Sequence, residues 1–308
     1  MASIRAQILM SFLRAMPYGG TTTDPEKRAQ ELARSRRVIH MMAVPHPPKT
    51  RTIPAHIPGV KAEWHVGEVI RYDARIVYFH GGGFCTGSPL SHRHFTAKLA
   101  KETGMPVLSV DYRLAPEHPY PAAQDDAVKA YAWAQENGPL GPSPVETIFV
   151  GGDSAGGGLT MSMAMRLRDE GRRMPAGLIL LSPWLDLTIT ADSIRRIGPL
   201  DVMLNAEYSK RWVQNYAVDQ DPKTPGISPL FGDFEGLPPM FFSVGGREIL
   251  LDDTLSGIER AKAAGVETVL DRNEEMFHIW PVFYHLIPEG RASVAKMVQF
   301  IHEHSGAM

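Results

Sequence analysis

The sequence contains almost no cysteine and has no strong excess of charge of either sign. Cys85 is the single cysteine among 308 residues, so no disulfide can form within the chain, and a cytoplasmic location is the simplest expectation. The 34 acidic residues nearly balance the 32 basic ones. A formal net charge of −2 gives no reason to expect nucleic acid or an anionic membrane as a partner.

Long apolar runs are also missing. No apolar stretch approaches the roughly 20 residues that a membrane-spanning helix needs, so stable membrane insertion is not expected. Arg5, Gln7 and Arg14 interrupt the first residues, which therefore do not resemble a signal peptide. The chain is long enough for one large α/β domain or for two small domains.

Residues 1 to about 40 have a helical pattern. Asp24 is suited to cap a helix that has Pro25 in its first turn. An apolar stripe of helical period precedes them, formed by Ile4, Ile8, Phe12 and Leu13. Because the polar face of this helix is not strongly basic, we expect the stripe to cover another part of the protein rather than to lie on a membrane.

Strands and helices alternate along most of the remaining chain. The predicted strands are 38–44, 66–72, 75–79, 106–110, 147–150, 178–181, 240–244 and 266–270, with a hairpin turn at Asp73 and Ala74. The predicted helices are 91–104, 121–137, 155–170, 252–264 and 289–304. This alternation predicts an α/β fold with a mostly parallel central sheet flanked by helices. Residues 186–235 break the alternation and are interpreted as an inserted helical segment that forms a cap with the N-terminal helices.

A Gly-x-Ser-x-Gly pentad stands between a predicted strand and a predicted helix. Gly152 and Gly156 flank a turn that tolerates little more than a hydrogen atom at those positions. This context predicts that Ser154 is a nucleophile at the strand end. It also lies at the start of a helix whose free N–H groups favour negative charge, so the N–H of Ala155 is a candidate donor to an oxyanion.

A glycine run supplies candidates for the other oxyanion donors. Residues 80–84 read His-Gly-Gly-Gly-Phe and directly follow a predicted strand. Three glycines leave backbone N–H groups free of side-chain cover. We expect Gly82 and Gly83 to donate together with Ala155, whereas His80 is expected to anchor the loop rather than act as a base.

Twelve histidines compete for the role of general base. The chain order of nucleophile, acid and histidine on this type of sheet leaves His278, His285, His302 and His304. His278 stands just after the last predicted strand, in a loop that can return over Ser154. His285 lies near a predicted helix and the last two lie in the tail, so His278 is preferred.

The loop after strand 240–244 holds three candidate acids, Glu248, Asp252 and Asp253. Asp252 has the position of an N-cap for the following helix. Glu248 lies nearer the strand end and is the preferred acid, with Asp252 as the alternative. The acid would hold His278 in the correct tautomer and stabilise the imidazolium that forms.

Two further groups have simpler interpretations. His92 and His94 have the spacing of metal ligands, but no carboxylate or cysteine cluster accompanies them, so no metal site is expected. Cys85 is interpreted as a small packed residue rather than a second nucleophile. The proposed chemistry needs no cofactor.

Together these residues resemble the hormone-sensitive-lipase-like family of α/β-hydrolases, a group of bacterial carboxylesterases, from about residue 65 to the C-terminus. The motifs that carry the resemblance are His80-Gly81-Gly82-Gly83, Asp111-Tyr112-Arg113-Leu114-Ala115-Pro116-Glu117 with Pro119-Tyr120-Pro121-Ala122, Gly152-Asp153-Ser154-Ala155-Gly156-Gly157, and Met276-Phe277-His278. The resemblance implies a triad of Ser154, Glu248 and His278, with Glu248 where the family usually has Asp. The motif residues His80, Gly81 and Asp153 support that assignment, and Asp111 and residues 113–121 are expected to brace the site.

The resemblance also implies an organisation and an activity. It implies cap helices in residues 1–45, a catalytic domain in 46–185 and 226–308, and a second cap segment in 186–225. The implied activity is hydrolysis of short- to medium-chain esters through an acyl-enzyme. Two alternatives remain open, hydrolysis of an amide or formamide bond and small-molecule binding without turnover. A homodimer is a further possibility in this family.

Overall fold

The computed structural model describes residues 1–16, 24–41 and 44–306. Its strands are β1 (Arg51–Ile57), β2 (Val60–Val66), β3 (Ala74–Phe79), β4 (Val107–Asp111), β5 (Asn137–Gly138), β6 (Gly141–Pro142), β7 (Thr147–Asp153), β8 (Gly177–Leu181), β9 (Met240–Gly245) and β10 (Thr268–Asn273). Its α-helices are α1 (Ile4–Ala15), α2 (Pro25–Met41), α3 (Pro89–Thr103), α4 (Ala122–Glu136), α5 (Ala155–Asp169), α6 (Asp192–Ile197), α7 (Ala206–Tyr216), α8 (Leu251–Ala263) and α9 (Pro288–Glu303).

Eight of the described strands form one sheet in the order β1-β2-β4-β3-β7-β8-β9-β10. β2 pairs antiparallel with both β1 and β4, and every other pairing in this sheet is parallel. The predicted α/β fold with a mostly parallel sheet flanked by helices is therefore confirmed. Because parallel strands end at the same edge, the loops after β3, β7, β8, β9 and β10 all open on one side of the molecule.

Both faces of the sheet are buried under helices. Along β3, Val77 and Phe79 belong to one apolar core and Ile76 and Tyr78 to another. This alternation follows from the two-residue period of a strand, and it explains why the central strands have continuous apolar sequences. The first core includes residues of α4 and α5, and the second includes residues of α3 and α9.

The start of the sheet differs from the prediction in three ways. Residues 38–41 continue α2 instead of forming a strand, and residues 42–43 lie outside the described residues. The strand expected at 66–72 lies earlier, as β2, and no hairpin forms at Asp73 because β2 pairs with β1 and β4. β1 was missed because it contains Pro54, which the sheet tolerates here since β1 is an edge strand.

Most of the predicted apolar stripe of α1 is exposed. Ile4, Ile8 and Phe12 are 76%, 66% and 56% exposed, whereas Leu13 is buried. The helix does pack on the protein, but through Leu9, Met10 and Ala6 beside Leu13, so the expected packing face was wrong. The sequence pattern failed here because apolar residues occur on both sides of this helix.

Residues 186–235 form α6, α7 and a short 3₁₀ turn, with no strand among them, as the sequence predicts for the inserted segment. The proposed boundaries of the cap and catalytic segments remain a prediction. Across the described residues, no helix combines the length and apolarity that crossing a bilayer requires.

Candidate active site

Ser154 occupies a strained turn between β7 and α5. Its φ of +53° lies in the left-handed region that side chains rarely adopt. An added Cβ would lie 2.3 Å from the Gly156 oxygen at Gly152, and 2.1 Å from the Phe79 oxygen at Gly156. Only glycine fits at these two positions. The Ser154 N–H donates to the Leu181 oxygen at 2.8 Å, which fastens the turn to β8.

Glu248 and His278 form a buried pair at the same edge of the sheet. His278 Nδ1 lies 2.6 Å from Glu248 Oε2, and the two side chains are 2% and 0% exposed. Glu248 Oε1 accepts hydrogen bonds from the Gly245 N–H at 2.6 Å and from the Ser182 hydroxyl at 2.8 Å. The carboxylate is therefore held from three sides, and its second oxygen is available to the imidazole.

Ser182 is a site residue that the sequence reasoning missed. Its hydroxyl donates to Glu248 and accepts the N–H of Ile279 at 3.0 Å, so one side chain links the loop of the acid to the loop of the histidine. Its φ of +44° is also unusual for a non-glycine residue. The available signal was its place directly after β8, the strand between β7 and β9.

The pKa of His278 is raised. Burial by itself lowers it, but the hydrogen bond and the charge of Glu248 outweigh burial, with smaller contributions from Asp201 and Asp153. The pair therefore favours the protonated imidazole, which is the state that forms when a histidine accepts a proton from a nucleophile.

The alternative acids are committed elsewhere. Asp252 accepts the N–H of Ser193 at 2.7 Å and lies in the first turn of α8. The expectation that it is the N-cap was wrong, because Leu250 has that position. Asp253 accepts the N–H groups of Leu185 and Asp186, and burial raises its pKa well above the usual range.

The other late histidines do not meet a carboxylate in the same way. His285 lies in the cavity wall, and burial lowers its pKa to about 4. His302 and His304 lie at the end of α9, where His304 Nδ1 bonds the Phe300 oxygen and its Nε2 lies 3.3 Å from the carboxylate of Glu267. Glu267 is 62% exposed, and neither His304 nor Glu267 lines the cavity that contains Ser154. Of the predicted candidates, the structure brings together Glu248 and His278.

Asp153 ties the glycine loop to the serine turn. Its Oδ1 accepts from the Tyr78 hydroxyl at 2.8 Å and the Gly81 N–H at 3.0 Å, while its Oδ2 lies 3.2 Å from His92 Nε2. Burial alone would raise the pKa of Asp153, but the charge of His92 and the hydrogen bonds with His92 and Tyr78 leave it lowered. An added Cβ at Gly81 would lie 2.2 Å from Asp153 Oδ2, so this contact requires glycine.

His80 orients the first of the two loop N–H groups. Its Nδ1 lies 2.8 Å from the Gly81 oxygen. A carbonyl only accepts, so Nδ1 carries the proton, and burial lowers the pKa of His80 to about 3. The C=O and N–H of a trans peptide point in opposite directions. Holding the Gly81 carbonyl therefore turns the Gly82 N–H the other way.

The second N–H group is oriented by the same logic. The Gly82 oxygen accepts from the N–H groups of Cys85 at 3.1 Å and Thr86 at 2.9 Å, and from the Thr86 hydroxyl at 2.8 Å. This turns the Gly83 N–H in the opposite direction. Within the described residues neither the Gly82 nor the Gly83 N–H donates to a protein acceptor, and both glycines line the cavity that contains Ser154.

Gly83→Ala is expected to lower kcat by roughly ten- to a hundredfold, less than or equal to the loss of one oxyanion donor. Gly83 has a φ of +61°, and an added Cβ would lie 2.3 Å from Cδ2 of Trp212. Initial rates on an activated ester check this. The double variant Gly83→Ala/Trp212→Ala removes the clash and should recover part of the loss. A single variant with wild-type kcat would contradict the assignment of a close approach at this position.

The remaining expected non-catalytic residues have structural contacts. His92 bonds Asp153 and His94 bonds the Pro45 oxygen, and the described part of the chain contains no cluster of three or more potential metal ligands. Cys85 is fully buried, and burial raises the pKa of its thiol to about 12, so it is a packed thiol. Tyr112, which lies between the predicted bracing residues Asp111 and 113–121, donates its hydroxyl to the His80 oxygen.

Ser154 and His278 line one cavity of about 400 Å³. Its wall is mostly apolar. Part of it is contributed by Leu9, Phe12 and Leu13 of α1 with Met16 directly after it, Ile39 of α2, Met203 and Leu204, and Tyr208 and Trp212 of α7. The cavity thus joins the edge of the sheet to the N-terminal helices and the inserted segment. A concave apolar site with a few polar groups at one end is suited to a small organic ligand.

The parallel sheet, the strained serine turn after its central strand and the buried Glu–His pair at the same edge together define an α/β hydrolase fold. Comparison with known proteins agrees, because a family model described as alpha/beta hydrolase fold matches residues 76–282. An esterase of Acinetobacter venetianus is 37% identical over 261 residues, which are 83% of each chain. An acetyl-hydrolase of Streptomyces hygroscopicus is 37% identical over 246 residues, which are 80% of each chain.

Solved structures give the more specific match. The structure of an esterase from the bacterial hormone-sensitive lipase family is 35% identical in sequence and superposes with a TM-score of 0.90. The match covers 99% of this chain and 100% of the esterase chain. The chain belongs to this hormone-sensitive lipase family of α/β-hydrolase esterases, which are serine hydrolases acting on carboxylic esters. The resemblance seen in the sequence is confirmed.

Proposed function

We propose that this esterase hydrolyses short- to medium-chain acyl esters by a triad of Ser154, Glu248 and His278. The observation that carries the proposal is the buried Glu248–His278 pair, joined at 2.6 Å, in the same cavity as a serine held in a strained turn. A buried carboxylate–imidazole pair is costly to desolvate, so its presence is weak evidence for a purely stabilising role. It is what a general base requires for correct tautomer and charge.

The reaction proceeds in two halves. His278 removes the proton of the Ser154 hydroxyl as its oxygen attacks the ester carbonyl, and the N–H groups of Gly82, Gly83 and Ala155 stabilise the oxyanion. The alkoxide leaves with the proton from His278, and an acyl-enzyme remains. Water then attacks the acyl group by the same route, releasing the acid and restoring the Ser154 hydroxyl.

The size of the cavity supports a preference for small acyl groups. Its volume of about 400 Å³ is near the lower end for small-molecule sites. α1, α2 and α7 form much of its wall, which supports the proposal that residues 1–45 and 186–225 act as caps. One of the relatives is an acetyl-hydrolase, which also favours a small acyl group.

A p-nitrophenyl ester series from acetyl to palmitoyl tests the substrate range. We expect kcat/KM to peak among the short and medium chains and to fall at least about tenfold for palmitoyl, because the additional methylenes find no wall to bury against. A peak at palmitoyl would contradict the proposal. No turnover of any ester by folded protein would instead favour an amide substrate or binding without turnover.

A fluorophosphonate probe tests the nucleophile separately. Only an activated serine should react, so mass spectrometry of the labelled protein should place the phosphonate on Ser154. A label on any other residue would contradict the assignment of the nucleophile, whatever the ester series shows.

A further inference from the structure

The loop at residues 80–86 carries the proposed oxyanion donors Gly82 and Gly83 and is called the oxyanion loop below. It is hydrogen-bonded to a charged residue that does not line the cavity. Arg36 of α2 donates from Nε to the Cys85 oxygen at 2.8 Å and from Nη2 to the Ala115 oxygen at 3.0 Å. Its two terminal nitrogens also form a fork on Glu117, at 2.7 Å to each carboxylate oxygen. None of these contacts touches the cavity that contains Ser154.

The Arg36 contact continues through two peptide groups. The Cys85 oxygen, which accepts from Arg36, belongs to the same peptide as the Thr86 N–H. That N–H donates to the Gly82 oxygen at 2.9 Å. The Gly82 oxygen in turn belongs to the same peptide as the Gly83 N–H, a proposed oxyanion donor. Because a trans peptide is planar, a hydrogen bond that fixes the direction of its C=O also fixes the direction of its N–H.

We propose that Arg36 is a positioning residue for ester hydrolysis, which orients and polarises the Gly83 N–H through the Cys85–Thr86 and Gly82–Gly83 peptides. The proposal rests on the proposed function, because it assumes that Gly83 donates to the oxyanion. Hydrogen bonds in a chain polarise one another, and a cation at the far end makes every N–H along the chain a better donor. The effect is aimed at the developing negative charge and not at the neutral ester.

Two contacts hold the hydrogen-bonded peptides between Arg36 and Gly83 in place. The Ala115 N–H donates to the Phe84 oxygen at 2.9 Å, so Arg36 holds both segments of a loop pair that is already joined. Phe84 stacks on Tyr216 with ring centroids 3.8 Å apart. The guanidinium therefore acts on a rigid loop. Loss of its hydrogen bond to the Cys85 oxygen is expected to alter the Gly83 N–H, because the loop cannot rearrange to compensate.

The contact with Arg36 gives a structural role to Glu117, the acidic residue that ends the sequence motif at 111–117. The hydrogen bonds from Arg36 lower the pKa of Glu117 to about 2, so it is ionised at neutral pH. Glu117 is a fixed partner that directs the guanidinium fork, and only Arg36 reaches the oxyanion loop. The carboxylate is 53% exposed, so the ion pair alone adds little stability.

Arg36→Gln tests the proposal through kinetics. Since losing a whole oxyanion donor costs about 10²–10³ in rate, loss of its alignment and polarisation should lower kcat roughly five- to thirtyfold, with KM changed less than about twofold. The inhibition constant of a trifluoromethyl ketone, whose hemiketal oxyanion resembles the transition state, should weaken by the same factor as kcat/KM falls.

Two further variants separate positioning from a looser cap helix. Glu31→Gln removes the negative charge of α2 that pairs with Arg211 of α7 at 3.0 Å. It should leave kcat within about twofold, although it also weakens the attachment of α2. The charge swap Arg36→Glu/Glu117→Arg preserves an ion pair but puts an acceptor beside the Cys85 oxygen. It should keep kcat as low as in Arg36→Gln, with a melting temperature close to that of the wild type because the exposed ion pair itself adds little stability.

The outcomes are distinct. Arg36→Gln with wild-type kcat, an equal loss in Glu31→Gln, or recovery of kcat in the charge swap would each overturn the proposal. Wild-type turnover that is abolished by Ser154→Ala establishes the proposed function independently. A failure at Arg36 is thereby distinguished from a failure of the triad.

Discussion

Ser154→Ala is expected to lower kcat by about 10⁴–10⁶-fold, leaving only the rate that binding and the oxyanion donors provide. Ser154 has a φ of +53°. Alanine and serine both adopt this angle with difficulty, so the substitution removes the hydroxyl at little additional cost to the backbone. Steady-state rates on p-nitrophenyl acetate, with single-turnover measurements where the rate is low, check the magnitude.

A serine on the same helix provides the control. Ser162 of α5 is also buried, but its hydroxyl donates to the Leu159 oxygen and it does not line the cavity. Ser162→Ala should keep kcat within about twofold, because a side chain-to-backbone hydrogen bond within a helix contributes only about 1 kcal/mol to stability. If Ser154→Ala retained more than a tenth of the wild-type rate while remaining folded, another nucleophile would be required.

Glu248→Gln is expected to lower kcat by roughly 10³–10⁴-fold at neutral pH. The amide retains the size of the side chain but not its charge, so the imidazolium loses its stabilising partner and His278 loses the constraint on its tautomer. Asp252→Asn is the matched control, since Asp252 was the alternative acid and its carboxylate accepts from Ser193 instead. A larger loss in Asp252→Asn than in Glu248→Gln would reverse the assignment.

The pH profile provides a second readout of the same pair. As the proposed general base, His278 accepts a proton only when neutral, so we expect kcat/KM to fall as pH decreases through its pKa. Glu248 outweighs burial and raises the pKa of His278 from its usual value of 6.5, so the acid limb of the wild-type profile is expected above pH 6.5. In Glu248→Gln the plateau should fall and the acid limb should move to lower pH. An unchanged limb would show that the titrating group is not paired with Glu248.

Local sequence was sufficient for the parts of the site that depend on backbone geometry. Gly152 and Gly156 flank Ser154 because any Cβ there would meet a backbone oxygen, and such a steric requirement is visible in the residue types alone. The glycine run at 81–83 is readable for the same reason. The central strands were also predictable, since burial on both faces produces continuous apolar runs.

Contacts between distant segments could not be read in the same way. Ser182 joins the loops of Glu248 and His278, and Arg36 reaches the Cys85 oxygen across 49 positions, yet neither residue has a local pattern that marks it. β1 was missed because its edge position, which permits Pro54, is a property of the assembled sheet. The prediction of which face of α1 packs on the protein was wrong because both sides of that helix carry apolar residues.

The sequence by itself determined the class of fold, the strained serine turn, the glycine loop and the order of the site residues, because these follow from steric and periodic requirements within a few neighbouring positions. The tertiary structure alone decided which carboxylate meets His278, which face of α1 is buried and what orients the loop N–H groups. Those outcomes depend on which polar atoms come within 3 Å after the sheet assembles, and hydrogen bonds are too short-ranged for sequence spacing to predict.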